Sequence, residues 1–561
     1  MKSVTQAFLD TASERSDRVA VLRYASAGRA RPLSFRQLEE RTRRQAVHLA
    51  ARGVVPGTRC AIFVRDPVNM LTSLYATVRL GAVPVLIDGR LPRATVARAL
   101  DAAEPAAFIG DPLTLAARIA YGWGRDSVTT RVCATRLTDG TRPGGARSDF
   151  ARDAFVPRLD HPALIAFTSG STGPAKGAIY DHRHLSAHIE SLRGELGITP
   201  GAVTVSAFLP FALFGPLLGL TTVLPDMDFT RPARSNPHRL AEAVRLSGAS
   251  VLVASPAVLR TLAAAAVSRG GDGLRTLRAL YCFGATPPHD VLTTLHRALP
   301  DARIHSVYGA TECLPVSVID SRELVGPAGT ATEQGAGTCL GRPLPSVRVT
   351  VVAALEQPVP RWSDDWPVES GSIGEITVSG PNVSPDYVGA PDATARAKVS
   401  DGSRRVHRTG DLGRIDAEGR LWFCGRVAHR VSTPSGTTPA EPVEAALDRV
   451  PGVRRTALVG LGVPGAQVPV LCVEPEPGTR RAARHELTMR LLAAASSLPE
   501  SVWIGPVLFR KRFPTDVRHN SKIDRAALST WAERALRLHG RRRRRALPSG
   551  GPLPPGPEGG R

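Results

Sequence analysis

Apolar and polar positions alternate in blocks along the first third of the chain. Ser34 with Gln37 has the spacing of a capping box, and the apolar positions that follow predict a helix through about Ala51, closed by Gly53. "CAIFV" from Cys60 reads as a buried strand, "NMLTSLYATVRLG" as a helix ending at Gly81, and "AVPVLID" as a further strand. This alternation predicts an α/β fold with a largely parallel sheet. The pattern recurs after residue 160, where "ALIAF" has strand length and Leu185, Ile189, Leu192 and Leu196 recur at helical spacing. The stretch between them, "FTSGSTGPAKG" (Phe167 to Gly177), is therefore expected to join a strand to a helix, separated by a few residues. From about Gly371 short strands separated by glycine turns ("GEITVSG", "GRIDAEGRLWFCGR") predict a small β subdomain. Beyond "GRVAHR" a mixed segment follows, with a helix around "EAALDRV", a strand around "RTALVGL" and a helix around "HELTMRLLAAASSL".

A chain of 561 residues exceeds the size at which one core keeps growing, so two or more domains are expected. "VTVSAFLPFALFGPLLGLTTVLP" (Val203 to Pro225) is uncharged and long enough to span a bilayer. Pro210, Gly215, Pro216 and Gly219 interrupt it and no basic flank orients it, which predicts a buried core segment, one that lines a lipid-sized cavity, rather than a membrane span. The formal charge of +22 is carried almost wholly by arginine, spread along the chain beside abundant Ala, Gly and Pro. That spread reads as compositional bias, and no nucleic-acid partner is expected. The seven cysteines form no CxxC pair and indicate neither a disulfide framework nor a zinc knuckle. With "MKSVTQAFLDTASERSDR" carrying acids and serines where a signal peptide needs an apolar core, the cytoplasm is the expected compartment. "GRRRRRALPSGGPLPPGPEGGR" at the end reads as a solvated, disordered tail.

The chemistry concentrates in four clusters. In "FTSGSTGPAKG" the glycines 170, 173 and 177 allow close backbone approach, Thr168, Ser169, Ser171 and Thr172 offer hydroxyl donors, and Lys176 supplies charge to a polyphosphate. It is not a Walker A loop, because Ala175 and Gly177 flank the lysine. "YGATE" (Tyr308 to Glu312) sets an aromatic face four residues from a carboxylate, "RTGDLG" presents Asp411 in a turn, and "SKIDRAAL" places Lys522 near the end.

In this order and at these separations the clusters resemble those of the adenylate-forming superfamily, which includes acyl-CoA synthetases, luciferases and nonribosomal peptide synthetase adenylation domains. The resemblance covers roughly residues 10–530. It implies a large N-terminal ATP- and acyl-binding domain of layered α/β subdomains (1–425), a small mobile α+β lid (426–538) and a tail (539–561). It further implies ATP as substrate and Mg²⁺ as cofactor. By that resemblance Thr168, Ser169, Gly170, Ser171, Thr172, Gly173 and Lys176 hold the β- and γ-phosphates, and Gly284, Ala285 and Tyr308 pack the adenine, with Gly309 and Thr311 beside the nucleotide. Glu312 holds Mg²⁺, Asp411 accepts from the ribose hydroxyls, Arg426 lies near the nucleotide at the domain junction, and Lys522 neutralises charge between carboxylate and α-phosphate. Lys522, Glu312 and Lys176 are the implied catalytic set.

Departures narrow the resemblance. Ala428 stands at the hinge position after "GR", "VSTPSGTTPAEP" replaces the "IKxxG" run that helps admit a pantetheine arm, and "LPFALFGPLLG" lacks the histidine of many acyl-CoA synthetases. "FALFGPLLGLTTVLPDMD", "YGATECLPVSVI", "QGAGTCLGRPLP" and "LWFCGRVAHRV" resemble the β-lactone synthetases of bacterial olefin and β-lactone biosynthesis (OleC type). That resemblance implies a long-chain 2-alkyl-3-hydroxy fatty acid, closed by its own hydroxyl with loss of AMP, and companion enzymes of a hydrocarbon or β-lactone pathway. Two other readings stay open: a fatty acyl-CoA or acyl-carrier-protein ligase, which needs a thiol acceptor, and a non-catalytic binding or scaffold protein. His182, His184 and His429 neighbour the motifs as candidate acceptors of the hydroxyl proton, against a structural role for each.

Overall fold

The computed structural model describes residues 1–24, 29–135, 154–168, 174–269, 271–498, 503–515 and 523–546. The chain divides into two compact units, the first Met1–Ala428 and the second beginning at His429.

The first unit is built on two sheets. The larger has 14 strands among the described residues. Its centre is parallel and runs Arg303–Ala310, Ala279–Phe283, Val251–Ala254, Val203–Ser206, Thr221–Leu224, Val19–Tyr24. Beyond Arg303–Ala310 the pairing turns antiparallel through Cys313–Asp320, Thr338–Pro343, Leu421–Arg426, Arg404–Ile415 and Gly374–Ser379. The smaller, 7-stranded sheet has a parallel part (Thr130–Cys133, Ala107–Gly110, Arg59–Phe63, Val83–Leu86, Pro162–Phe167) and an antiparallel edge. Parallel strands are covered on both faces, which is why Cys60 to Phe63 form an unbroken buried run instead of alternating.

Local signals act where the pattern places them. Ser34 Oγ accepts from the Gln37 backbone N–H at 3.2 Å and Gln37 Oε1 accepts from the Ser34 N–H at 3.0 Å, opening the helix Phe35–Ala51. Asp66 caps the helix Pro67–Arg79, ahead of the strand Val83–Leu86. The uncharged segment from Val203 forms a strand, the short helix Leu209–Ala212 and the strand Thr221–Leu224, with Phe211, Leu217, Leu218 and Leu220 in the core. No helix among the described residues is long and apolar enough to cross a membrane.

The few residues that separate the glycine-rich stretch from the helix have a structure of their own. "GAIYD" is itself a strand, Gly177–Asp181, paired antiparallel with Pro162–Phe167 and on its other side with Tyr387–Val388, and the helix His182–Gly194 starts only after it. Five residues flanked by two strand partners satisfy their backbone groups as a ladder, which outweighs any helical preference of so short a run.

In the second unit, Val453–Leu461 and Val468–Pro475 pair antiparallel and Val507–Phe509 adds in parallel. Helices Ala440–Leu447 and Arg484–Ser496 pack Val443, Leu447, Leu487 and Leu491 against Leu458 and Leu471. On the other face Leu528 and Ala532 of the helix Arg525–Ala546 meet Ala457, Val459 and Cys472. That helix takes in Arg541 to Arg545, so the arginine run expected in a disordered tail is helical backbone; residues 547–561 lie outside the described residues. "VSTPSGTT" forms the hairpin Val431–Thr433 with Gly436–Thr438.

Two charged groups govern this unit. Glu444, buried, accepts from the Leu458 N–H at 2.7 Å and pairs with both terminal nitrogens of Arg525, the nearer at 2.5 Å. Removing one partner leaves an uncompensated buried charge, so Glu444→Gln is expected to lower stability by about 3 kcal/mol, read from urea unfolding of the full chain. Asp448 is pushed up to about 7 from 3.8 by burial, against the hydrogen bonds of Thr456 and with Glu444 adding to the rise and Arg455 opposing it. The folded unit then holds a proton that the unfolded chain has lost. The stabilisation is complete below about pH 4 and is lost as pH rises through about 7. Asp448→Asn is expected to flatten the fall in unfolding temperature across that window; an unchanged slope would refute the assignment.

Candidate functional site

The site collects where the parallel part of the large sheet gives way to the antiparallel part. Phe283 and Val307 are the last register partners of two neighbouring parallel strands, so Gly284 and Tyr308 follow side by side where that pairing ends, as ligand sites do at the carboxyl ends of such strands. Gly284 has φ +97°, a conformation that favours glycine, and Ala285 after it is exposed. Gly309 is fixed by space: a Cβ there would meet the Cys313 carbonyl oxygen at 2.7 Å.

Tyr308 donates to Asp411 Oδ2 at 2.6 Å. Arg426, opposite Asp411 in the ladder, brings Nε to Oδ1 at 2.9 Å and donates from Nη1 to the Thr409 carbonyl at 3.0 Å. Burial, then the negative charge of Asp411, raises the Tyr308 phenol well above its ordinary value, so it remains a donor. Asp411 holds the Arg426 guanidinium above its own. A carboxylate has about four acceptor positions, so Asp411 keeps capacity for hydroxyl donors beside these partners. Asp411 lies within the strand Arg404–Ile415 and not in the turn expected of "RTGDLG", because its backbone pairs with Arg426, and this stretch is held from behind by two residues the sequence reading passed over. Arg408 donates to Glu375 Oε2 from Nε at 2.9 Å and Nη2 at 2.7 Å, and to the carbonyls of Leu355 and Gln357, while Glu375 Oε1 accepts from the Gly410 N–H at 3.3 Å.

Four residues along from Tyr308, Glu312 is 8% exposed. Its Oε1 accepts the Tyr387 hydroxyl at 2.6 Å, its backbone carbonyl accepts from Ser384, and the carbonyl of Thr311 accepts the Tyr180 hydroxyl. Lys176 Nζ lies 5.4 Å from the centroid of the Tyr387 ring, within cation–π range. Lys398 was also missed: it is 3% exposed, with Nζ 3.0 Å from Ser384 Oγ and 5.6 Å from the Tyr387 centroid. Burial lowers it to about 8, against the opposing pull of Glu312. The signal available in the sequence was its rarity, as one of five lysines.

The glycine-rich loop is closed at its neck. Thr168 Oγ1 accepts from the Lys176 N–H at 3.1 Å and the Thr168 N–H donates to the Lys176 carbonyl at 2.9 Å. Ser169, Gly170, Ser171, Thr172 and Gly173 lie outside the described residues, as does Lys522. Of the histidines, His182 is buried, accepts from the Val4 N–H through Nδ1 at 3.3 Å, and is lowered by burial to about 4. His184 Nδ1 lies 2.5 Å from Asp181 Oδ1. Both serve the fold around the helix His182–Gly194. His429 belongs to the second unit.

Among the described residues no three His, Cys, Asp or Glu side chains converge as a metal site. Magnesium does not need such a set, since it is commonly held by one or two carboxylates together with substrate phosphates. Glu312, beside a phosphate-type loop and with carboxylate capacity beyond its Tyr387 bond, fits that requirement.

Residues 8–388 match the family model "AMP-binding enzyme". The chain is 42% identical over 517 residues to an olefin beta-lactone synthetase of Xanthomonas campestris pv. campestris, covering 89% of this chain and 91% of the relative. It is 42% identical over 544 residues to one of Stenotrophomonas maltophilia, covering 94% and 97%. Among solved structures, the amide bond synthetase McbA from Marinactinospora thermotolerans superposes with TM-score 0.73 at 22% identity, covering 94% of this chain and 99% of that one. ATP-bound MatB from Rhodopseudomonas palustris gives TM-score 0.73 at 21% identity, with coverage of 94% and 99%. These two likenesses concern the fold, and the first two concern the sequence over most of its length. The chain belongs to the AMP-binding enzymes, the adenylate-forming ligases, and shares 42% of its aligned residues with two olefin beta-lactone synthetases among them.

Proposed function

We propose that this ligase uses ATP to activate a long-chain, 2-alkyl-substituted 3-hydroxy fatty acid as its acyl-AMP and then closes it to a β-lactone. The observation that carries the reading is the similarity, over most of the chain, to two proteins named olefin beta-lactone synthetase. The site supports its first half. A carboxylate oxygen bonds to the α-phosphorus and pyrophosphate leaves with the electrons of the broken P–O bond. In the second half the 3-hydroxyl oxygen bonds to the acyl carbon, its proton is lost, and AMP departs. Atoms balance to an acid one water lighter, plus AMP and pyrophosphate.

Each residue has a proposed part. Tyr308, with Gly284, Ala285, Gly309 and Thr311, takes the adenine end, and Asp411, oriented by Tyr308 and Arg426, accepts from the ribose hydroxyls. Thr168 to Gly173 and Lys176 take the β- and γ-phosphates. Glu312 would hold Mg²⁺, which offsets phosphate charge when bound. Lys522 supplies positive charge where carboxylate and α-phosphate meet. The segment that replaces the usual pantetheine-admitting run is a short hairpin with exposed residues at its turn, and a tethered hydroxyl needs no thiol. Well-oriented intramolecular nucleophiles reach effective molarities of roughly 10⁵–10⁸ M, and a strained four-membered ring realises less of that. The protein's task in the second half is to exclude water and to fold the chain so that hydroxyl meets carbonyl.

Two measurements check this reading. Mass spectrometry of products from ATP, Mg²⁺ and a 2-alkyl-3-hydroxy acid is expected to show loss of one water without coenzyme A, with an infrared carbonyl band of a β-lactone. A thioester formed only with coenzyme A would instead make the chain an acyl-CoA ligase. Lys522→Ala is expected to lower pyrophosphate release by about 10²-fold or more with ATP affinity nearly intact; normal release would remove Lys522 from the mechanism.

A further inference from the structure

Cations in this chain are arginines almost throughout: of 72 basic residues, five are lysine. Lys176 and Lys522 belong to the motifs, and Lys2 and Lys511 are exposed. Lys398 alone is a buried lysine that no motif explains. Burying an ammonium is costly unless it is compensated, and groups shifted by burial and a specific charge partner gather at functional sites. Among the described residues its hydrogen bond goes to Ser384 Oγ, which leaves two of three N–H donors for a ligand.

Lys398 also lines a cavity of about 570 Å³ together with Tyr387, Thr394, Asp386 and Arg405. Asp386 and Arg405 face each other at 3.5 Å, so the acid in the wall has its own partner. Tyr387 belongs both to the cavity and to the nucleotide site, because its hydroxyl bonds Glu312 and its ring lies 5.4 Å from Lys176 and 5.6 Å from Lys398. The two ammonium groups thus lie near one aromatic ring, one on the phosphate loop and one in the cavity wall.

We infer that this cavity is an anion subsite beside the phosphate end of the nucleotide site, which takes inorganic pyrophosphate with Lys398 as its buried cation. The inference rests on the adenylation proposed above. That step creates a multiply charged leaving group next to Lys176, and a neighbouring cavity that carries Lys398 and Arg405 in a wall otherwise largely of proline, glycine and alanine gives it a place outside the line of the reacting carboxylate. Arg405 at the cavity wall, half-exposed, adds charge toward solvent. Lysine suits the position better than arginine because a compact ammonium fits a closed wall and can turn its donors toward an incoming oxygen.

The test is titration calorimetry of the full-length protein with sodium pyrophosphate, without nucleotide. Lys398→Gln keeps a hydrogen-bonding head and removes the charge. It is expected to weaken pyrophosphate binding by about tenfold or more while AMP affinity is retained. The same loss is expected when Lys398→Gln is added to a Lys176→Gln background, which separates the cavity from the loop. Should Lys398→Gln fail to fold, Arg405→Gln is expected to weaken binding about threefold. Unchanged pyrophosphate affinity in these variants overturns the subsite. Lys398-dependent pyrophosphate binding by a protein that releases none from ATP and hydroxy acid would uphold the subsite and sink the proposed reaction.

Discussion

The bond from the Tyr387 hydroxyl to Glu312 is the constraint around which the Glu312 end of the site is arranged. A carboxylate that is nearly buried needs donors and counter-charges, and here they arrive from a distant part of the chain: Tyr387 across from a short edge strand and Lys398 as a buried cation, while the Ser384 N–H holds the Glu312 backbone carbonyl. The same edge strand pairs with Gly177–Asp181, which follows the phosphate-type loop. One residue, Tyr387, therefore ties the position of the carboxylate to that of the loop's base.

The Tyr308–Asp411 end follows a parallel logic. Tyr308 and Arg426 approach Asp411 from two other strands of the same sheet, and the buried Arg408–Glu375 pair holds the strand next to Asp411 through the Gly410 N–H. Pairs of this kind stabilise little by themselves, since desolvation offsets attraction, but breaking one is costly. Their value here is geometric, because Asp411 is left with one arrangement.

Much of this was legible in the chain's pattern, and the reason lies in range. Ser34 and Gln37 cap a helix three residues apart, the run from Cys60 is buried on both faces, and "YGATE" and "RTGDLG" carry their chemistry within a few positions. What the sequence hid were contacts between residues far apart: Glu375 with Arg408, Tyr387 with Glu312, Lys398 with Ser384. That "GAIYD" forms a strand was not legible, because its partners, Pro162–Phe167 and Tyr387–Val388, lie on either side of it in space and only one is its neighbour in the chain. The arginine run was misread as tail because composition signals solubility and not where a helix ends.

The neck of the glycine-rich loop has a thermodynamic consequence. Thr168 and Lys176 exchange backbone and side-chain hydrogen bonds at the mouth of a hairpin. The loop's ends are thus brought together by the sheet as the protein folds, and the entropy of closing a loop is lost at that stage. The positions of Thr168 and Lys176 are therefore set by the ladder on either side of them, and a group that binds at Lys176 does not have to bring the two together.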